Sequence, residues 1–302
     1  MSLVSLLFAL GLAELVLRFR ALGPIPSAEL SLHYRHDPIL GWHPAAHDAR
    51  TVIASRPFRV DHNSDGFRDR EHGPKTTPRI LFLGDSFVWG FDADVGERFT
   101  ELVQAGLPGW ELINAGVSGY GTDQEYLLLT QIAGRYQPDA VFLMFCADND
   151  RLENASNQGY GFFKPYFVRE SGELVLKGTP VPKSETYWFA DHPTLFSVRL
   201  TRAIAKVLRH HEVIHVPDLT LELVGLITRF LDEQHIPLLV GLTGADADLE
   251  RYLASSHIAF LTLPPEIERY PSNGSHWTPR GNQVVSRKVL EALKPFLGRT
   301  EP

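Results

Sequence analysis

Four short blocks in this 302-residue chain hold residue types suited to nucleophilic chemistry. The first is Gly84-Asp85-Ser86-Phe87, directly after the apolar run Arg79-Ile-Leu-Phe-Leu83. A serine on a tight glycine turn at the end of a buried strand is well placed to attack an acyl carbon. Val88 stands where the G-x-S-x-G elbow needs glycine, so this is a different kind of turn. The second block is Asn114-Ala-Gly116-Val-Ser-Gly119-Tyr-Gly121. Glycines allow a backbone N–H to face a crevice unobstructed, which an oxyanion hole requires. They equally suit a plain strand-to-helix turn or a phosphate cradle, although no Lys follows as in a nucleotide P-loop. The third is Asp148-Asn149-Asp150, whose amide offers a second oxyanion donor. The fourth is Asn273-Gly-Ser-His276-Trp-Thr-Pro-Arg-Gly281, where His276 is a candidate general base for Ser86. Taken singly, each block has a bland reading as a turn, and His276 is one of thirteen histidines.

The elements that must position these blocks follow from hydrophobic patterning. Apolar runs at 79–83, 111–115, 140–145, 237–241 and 257–263 read as five strands. Helical spacing at 97–107, 122–136, 195–209, 218–234 and 281–296 alternates with them. Thr122 with Glu125 three residues on is a capping box. Strands alternating with helices predict right-handed crossovers and a doubly wound, mostly parallel five-stranded α/β sheet. Fully apolar strands predict burial on both faces. Residues 155–193 interrupt the rhythm, and Tyr166-Phe-Val-Arg, Ser171-Gly172 and Glu173-Leu-Val-Leu176 predict a hairpin insertion there. The organisation is thus an N-terminal transmembrane or membrane-anchor helix over 1–22, an irregular lead-in with one or two short strands over 23–78 packed on the domain, and a catalytic-type domain over 79–298.

The four blocks, in this order, resemble the SGNH (GDSL-type) hydrolase superfamily over about residues 60–297. Gly84-Asp85-Ser86 matches its first block, Gly119 its glycine block, Asn149-Asp150 its asparagine block and His276 its last. Asn63-Ser-Asp-Gly-Phe-Arg-Asp69, Gly119-Tyr-Gly-Thr-Asp-Gln124 and Lys164-Pro-Tyr-Phe167 are similar to a membrane-anchored, exported bacterial branch. The resemblance implies the SGNH, flavodoxin-like fold and ester hydrolysis or acyl transfer without metal or cofactor. It implies Ser86 as nucleophile and His276 as base, with the Ser86 and Gly119 N–H groups and the Asn149 amide holding the oxyanion. Two positions depart from the pattern. Ala147 replaces the glycine that usually leads the third block, and Asn273 replaces an Asp three residues before the His. An Asp there fixes the imidazole tautomer and stabilises the imidazolium, whereas an amide supplies no charge. Asp61, Asp148 and Glu268 are candidate substitutes.

Net charge is −7 and no long basic run occurs, which argues against nucleic-acid binding. One cysteine, Cys146, excludes an internal disulfide and a Cys-based metal site, and its place after a buried strand suits a small core residue. His33, His36, His43 and His47 lack an H-E-x-x-H arrangement and read as solvated loop residues. Trp42, Trp89, Trp188 and Trp277 read as core or rim aromatics, with Trp89 and Trp277 placed to shape an acyl pocket. Leu3 to Leu17 is apolar apart from Ser5, Gly11 and Glu14, without an A-x-A cleavage site, and reads as an uncleaved membrane anchor or an interfacial helix. Glu14 and Arg18 are spaced to pair. Arg18 and Arg20 after the run favour a cytoplasmic C-terminal side, whereas the resemblance favours an inner-membrane protein with its soluble domain in the periplasm.

Two functions therefore compete. One is a membrane-anchored serine esterase or O-acyltransferase acting on acylated carbohydrate, lipid or wall polymer. The other is a catalytically attenuated accessory subunit docked on a larger membrane protein complex, of respiratory or photosynthetic type. A carbohydrate-binding module without turnover is a third class.

Overall fold

A computed structural model describes residues 3–19, 34–184, 212–271 and 275–298, together with Tyr187 and Ile204. The expected helix at 195–209 and the positions of His33, Trp188 and Asn273 lie outside the described residues.

The first helix, α1, spans Leu3–Phe19 and has 17 residues. At about 1.5 Å per residue it is roughly 25 Å long, short of the roughly 30 Å hydrocarbon layer. No helix among the described residues is long and apolar enough to cross a membrane, so the expected spanning segment gains no support from the structure. The Arg18 side chain lies outside the described residues, and with it the expected pair to Glu14.

The lead-in is more regular than its sequence implies. It forms two antiparallel hairpins, β1 (Tyr34–Asp37) with β2 (Gly41–Pro44) and β3 (Ala49–Ile53) with β4 (Pro57–Asp61). These strands have only four or five residues, too few for a period to stand out. Their inward side chains, Trp42, Val52, Phe58 and Val60, are buried against the domain.

The domain follows as β5 (Arg79–Gly84), the single-turn helix α2 (Ser86–Trp89), α3 (Phe99–Ala105), β6 (Glu111–Asn114), α4 (Thr122–Tyr136), β7 (Ala140–Phe145) and the short helix α5 (Asp150–Asn154). Two small hairpins come next: β8 (Gln158–Gly159) with β9 (Phe162–Phe163), and β10 (Tyr166–Glu170) with β11 (Glu173–Lys177). The second is the hairpin read from sequence, turning at Ser171 and Gly172 with both φ positive. The chain then runs through α6 (Thr220–Asp232), β12 (Leu238–Leu242), α7 (Ala247–Ser255), β13 (Ala259–Thr262) and α8 (Pro279–Leu297). Helix α7 was not foreseen. Asp246 caps it by accepting from Leu249 N–H at 3.0 Å. The capping expectation at Thr122 also needs correction: the cap is Gly121, whose N–H donates to Gln124 Oε1 at 3.4 Å.

The five long-range strands form one parallel sheet in the order β13-β12-β7-β5-β6. The doubly wound α/β expectation holds. Strands β5, β7 and β12 are buried along their whole length, and their side chains alternate between two cores. Leu81, Leu83, Val141, Leu143 and Val240 face α4 and α6, while Ile80, Phe82, Phe142 and Met144 face α3 and α8. The connection from β5 goes outward to β6 and then back across to β7, so the strand order reverses at β5. In open α/β sheets that reversal opens a crevice at the carboxyl ends of the strands.

Candidate active site

Ser86 is the second residue after β5 and the first of α2, at that reversal point. Asp85 caps its short helix, accepting from Phe87 N–H at 2.9 Å, and Gly90 in a left-handed conformation closes it. The turn is packed tightly from the β6 side. A Cβ on Gly116 would fall 2.5 Å from Trp89 N, so only glycine lets the two backbones approach. Asn114 stitches them together, donating to Val88 O at 2.8 Å and to Thr100 Oγ1 at 3.2 Å.

His276 Nε2 lies 2.7 Å from Ser86 Oγ. The two residues are 190 positions apart, and local hydrogen bonds hold the histidine loop in place. Tyr270 N–H donates to His276 O at 2.8 Å, and Thr278 N–H to Glu268 O at 3.1 Å. Thr278 caps α8 through Gly281 N–H at 3.1 Å, with Pro279 in the first turn. Asn282 then accepts from Phe99 N–H at 3.0 Å, tying α8 to α3. The imidazole packs between two rings, stacked on Phe91 with centroids 4.5 Å apart and tilted on Phe87 at 5.1 Å.

Asn149 directs its amide at the same place. Its Nδ2 is 3.4 Å from Asp85 Oδ2 and donates to the Tyr160 hydroxyl at 3.2 Å. Gly119 has φ +81, and a Cβ there would meet the Tyr160 ring at 2.8 Å. Tyr160 therefore touches both expected oxyanion donors. It sits with Gly161 in the two-residue turn between β8 and β9, both with positive φ.

Beneath the nucleophile lies an acidic core. Asp85, Glu125 and Asp150 are buried, and burial is the main reason their carboxyl groups titrate above the ordinary range. Glu125 is raised further by the charges of Asp85 and Asp123, and Asp150 by those of Glu125 and Asp85. Burial likewise pushes Glu153 up to about 7 against the pull of Lys164. Lys164 pairs with Asp123 in full burial and donates to Glu153 O at 3.0 Å. That pair joins Lys164-Pro-Tyr-Phe167 to Gly119-Tyr-Gly-Thr-Asp-Gln124, two blocks that sequence alone left unconnected. Cys146 is buried under Asp85, and burial pushes its thiol well up.

A serine against an imidazole, facing an amide and a glycine N–H at the sheet's switch point, suits acyl transfer chemistry. Residues 82–281 match the GDSL-like lipase/acylhydrolase family. The chain belongs to that family. Solved structures similar to it include a GDSL-family lipolytic protein from Veillonella parvula, at 18% identity and TM-score 0.39, covering 72% of this chain and 98% of that one. The psychrotrophic esterase EstA from Pseudoalteromonas is similar at 10% identity and TM-score 0.44, covering 73% of this chain and 98% of that one. A GDSL-like lipase from Bacteroides thetaiotaomicron is similar at 12% identity and TM-score 0.41, covering 72% and 88%. A comparison with curated proteins finds no match.

Within this GDSL-like domain Ser86 meets His276 directly, and Tyr160 bridges the Asn149 amide and Gly119. Asn273 lies outside the described residues. Two proposed substitutes for the missing acid are engaged elsewhere: Asp61 pairs with Arg59 at 2.7 Å and Asp148 with Arg269 at 2.7 Å. Glu268 is exposed. The carboxylate that does face the imidazole is Asp92, its Oδ2 3.7 Å from His276 Nδ1. Sequence reading missed Asp92 and Tyr160, because each sits in a turn that carries no period and resembles any polar loop. Trp89 and Trp277 do not wall a pocket. Both are buried, packing on Phe58 and Phe87 respectively. His36 and His43 are bound to Val181 O and Asp65 O, each at 2.8 Å, rather than solvated.

Proposed function

We propose that this GDSL-family protein is a serine-dependent esterase or acyltransferase for ester-linked acyl groups. The 2.7 Å contact between Ser86 Oγ and His276 Nε2 carries the reading. Ser86 Oγ attacks the ester carbonyl as His276 accepts its proton, and the oxyanion forms against the Asn149 amide and the Gly119 N–H. His276 returns the proton to the departing alcohol. Water or a second alcohol then resolves the acyl-enzyme by the same route in reverse. The test is turnover of nitrophenyl acetate by the full chain in mild detergent beside Ser86→Ala. Release of nitrophenol is expected to fall to background in the variant. Equal rates in both would overturn the proposal.

We further infer that α1 rests at a lipid surface. Leu3, Leu7, Phe8 and Leu12 are among its exposed side chains, and apolar side chains of this kind are stabilised by leaving water for the acyl boundary of a bilayer. Sedimentation with anionic phospholipid vesicles is expected for the full chain and lost on removal of residues 1–22. Equal recovery of both in the supernatant would sink the idea.

A further inference from the structure

We infer that Asp92 is the acid that positions His276 and stabilises its imidazolium, in place of the Asp absent at position 273. The inference rests on the serine-dependent reading above. Ser86 Oγ occupies His276 Nε2 at 2.7 Å, so the tautomer able to take the serine proton carries its own hydrogen on Nδ1. That nitrogen is buried, and no hydrogen-bond partner for it occurs among the described residues. Asp92 Oδ2 stands 3.7 Å away, within ion-pairing reach though longer than a hydrogen bond. Contacts of this kind tighten once the imidazole becomes charged.

The carboxylate is held in that direction. Ser55 N–H donates to Oδ1 at 2.9 Å and Ser55 Oγ–H to Oδ2 at 2.8 Å. Asp92 itself has φ +62, a left-handed conformation that Asp tolerates better than most residues. The backbone on either side is pinned by the buried Arg68 guanidinium, which donates to Gly90 O at 2.5 Å and Ala93 O at 2.6 Å. Arg68 also lies over the Trp89 ring at 4.9 Å. Burial works against a charge on Asp92, but the His276 approach and the two Ser55 bonds outweigh it and keep the carboxyl below its ordinary value. The acid is therefore ionised when the base is at work. A turn six residues beyond the nucleophile thus supplies what the segment before the histidine does not.

The charged groups facing His276 are Asp92 and Asp85, with Arg269 over the adjoining Phe87 ring at 5.2 Å. Removing the Asp92 charge takes away the group that stabilises the imidazolium formed as Ser86 gives up its proton. Asp92→Asn is expected to cut kcat by about 10²–10⁴-fold with KM changed by less than about threefold. Ser55→Ala, which loosens the carboxylate without removing it, is expected to cut kcat by about 3–30-fold. It serves as the deciding variant should Asp92→Asn fail to fold by thermal melting. Folded variants with kcat within threefold of the parent, or with the loss confined to KM, would overturn the role of Asp92, provided that Ser86→Ala abolishes turnover. A parent chain without Ser86-dependent turnover fails at the earlier step and removes the inference together with the reading beneath it.

Discussion

Asn149 is the proposed oxyanion donor whose surroundings depart most from the expectation, because its amide already donates to the Tyr160 hydroxyl at 3.2 Å. An incoming carbonyl oxygen must take over that amide before the tetrahedral intermediate can be stabilised. A neutral hydrogen bond of this kind is worth about 0.5–1.5 kcal/mol, so freeing the amide corresponds to roughly 2–10-fold. Tyr160→Phe keeps the ring on Gly119 and removes only the hydroxyl. We expect it to raise kcat/KM on a short nitrophenyl ester by that factor in steady-state assays. A tenfold fall instead would make the hydroxyl a fourth donor, beside the Ser86 and Gly119 N–H groups and the Asn149 amide, and reverse the interpretation. At this scale the sequence was informative for residues in fixed relation to a strand end. Ser86 follows β5, Gly119 lies in the loop after β6 and Asn149 follows β7. It was uninformative for Asp92 and Tyr160, whose importance comes from where a turn points. The direction of a left-handed turn depends on backbone dihedrals and tertiary neighbours, which residue spacing does not encode.

Elements differed in legibility for a related reason. Long apolar runs and amphipathic helices carry enough repeats for their period to be read, and α4 spans the expected 122–136. The lead-in was expected to be irregular because its strands are short and broken by Pro, His and Asp. Yet it is built into the site. Asn63 Oδ1 accepts from Asp65 and Phe67 N–H groups, each at 3.0 Å, and so shapes the turn that delivers Arg68. Asp69 Oδ2 accepts from Asn114 N–H at 2.8 Å, bracing the edge of β6. Ser55, from the β3–β4 turn, orients Asp92. The block Asn63-Ser-Asp-Gly-Phe-Arg-Asp69 therefore has a physical meaning that its composition hides: it is the buttress of the nucleophile loop. Its contacts tie the lead-in to the domain, since Arg68 holds the Gly90 and Ala93 carbonyls and Asp69 holds the end of β6.

Across the whole molecule the five strands were legible but their order was not, because strands apolar on both faces carry no mark of which neighbour they take. The same density of burial has an electrostatic consequence. Asp85, Glu125 and Asp150 keep their protons in the folded chain at pH values where the unfolded chain has released them, burial being the chief cause for each. Glu153 does so up to about pH 7. The native state then binds more protons than the unfolded state, so unfolding free energy falls as pH rises above about 4. Asp92, Glu111 and Asp246 work in the opposite sense, their carboxyls held low by the approach of His276 with two Ser55 hydrogen bonds, by His72 and by Arg151 respectively, so their contribution is lost as pH falls through those depressed values. Glu125 offers the cleanest test, since neither of its carboxylate oxygens has a hydrogen-bond partner among the described residues. Glu125→Gln removes one withheld proton while keeping the shape. Each such proton is worth about 1.4 kcal/mol per pH unit over the interval it spans. Urea unfolding at pH 5 and pH 8 is expected to show a smaller loss of stability with pH in Glu125→Gln than in the parent, with the variant the more stable at pH 8. Parallel pH profiles for the two proteins would mean that Glu125 is ionised in the native state, its charge balanced within the fold.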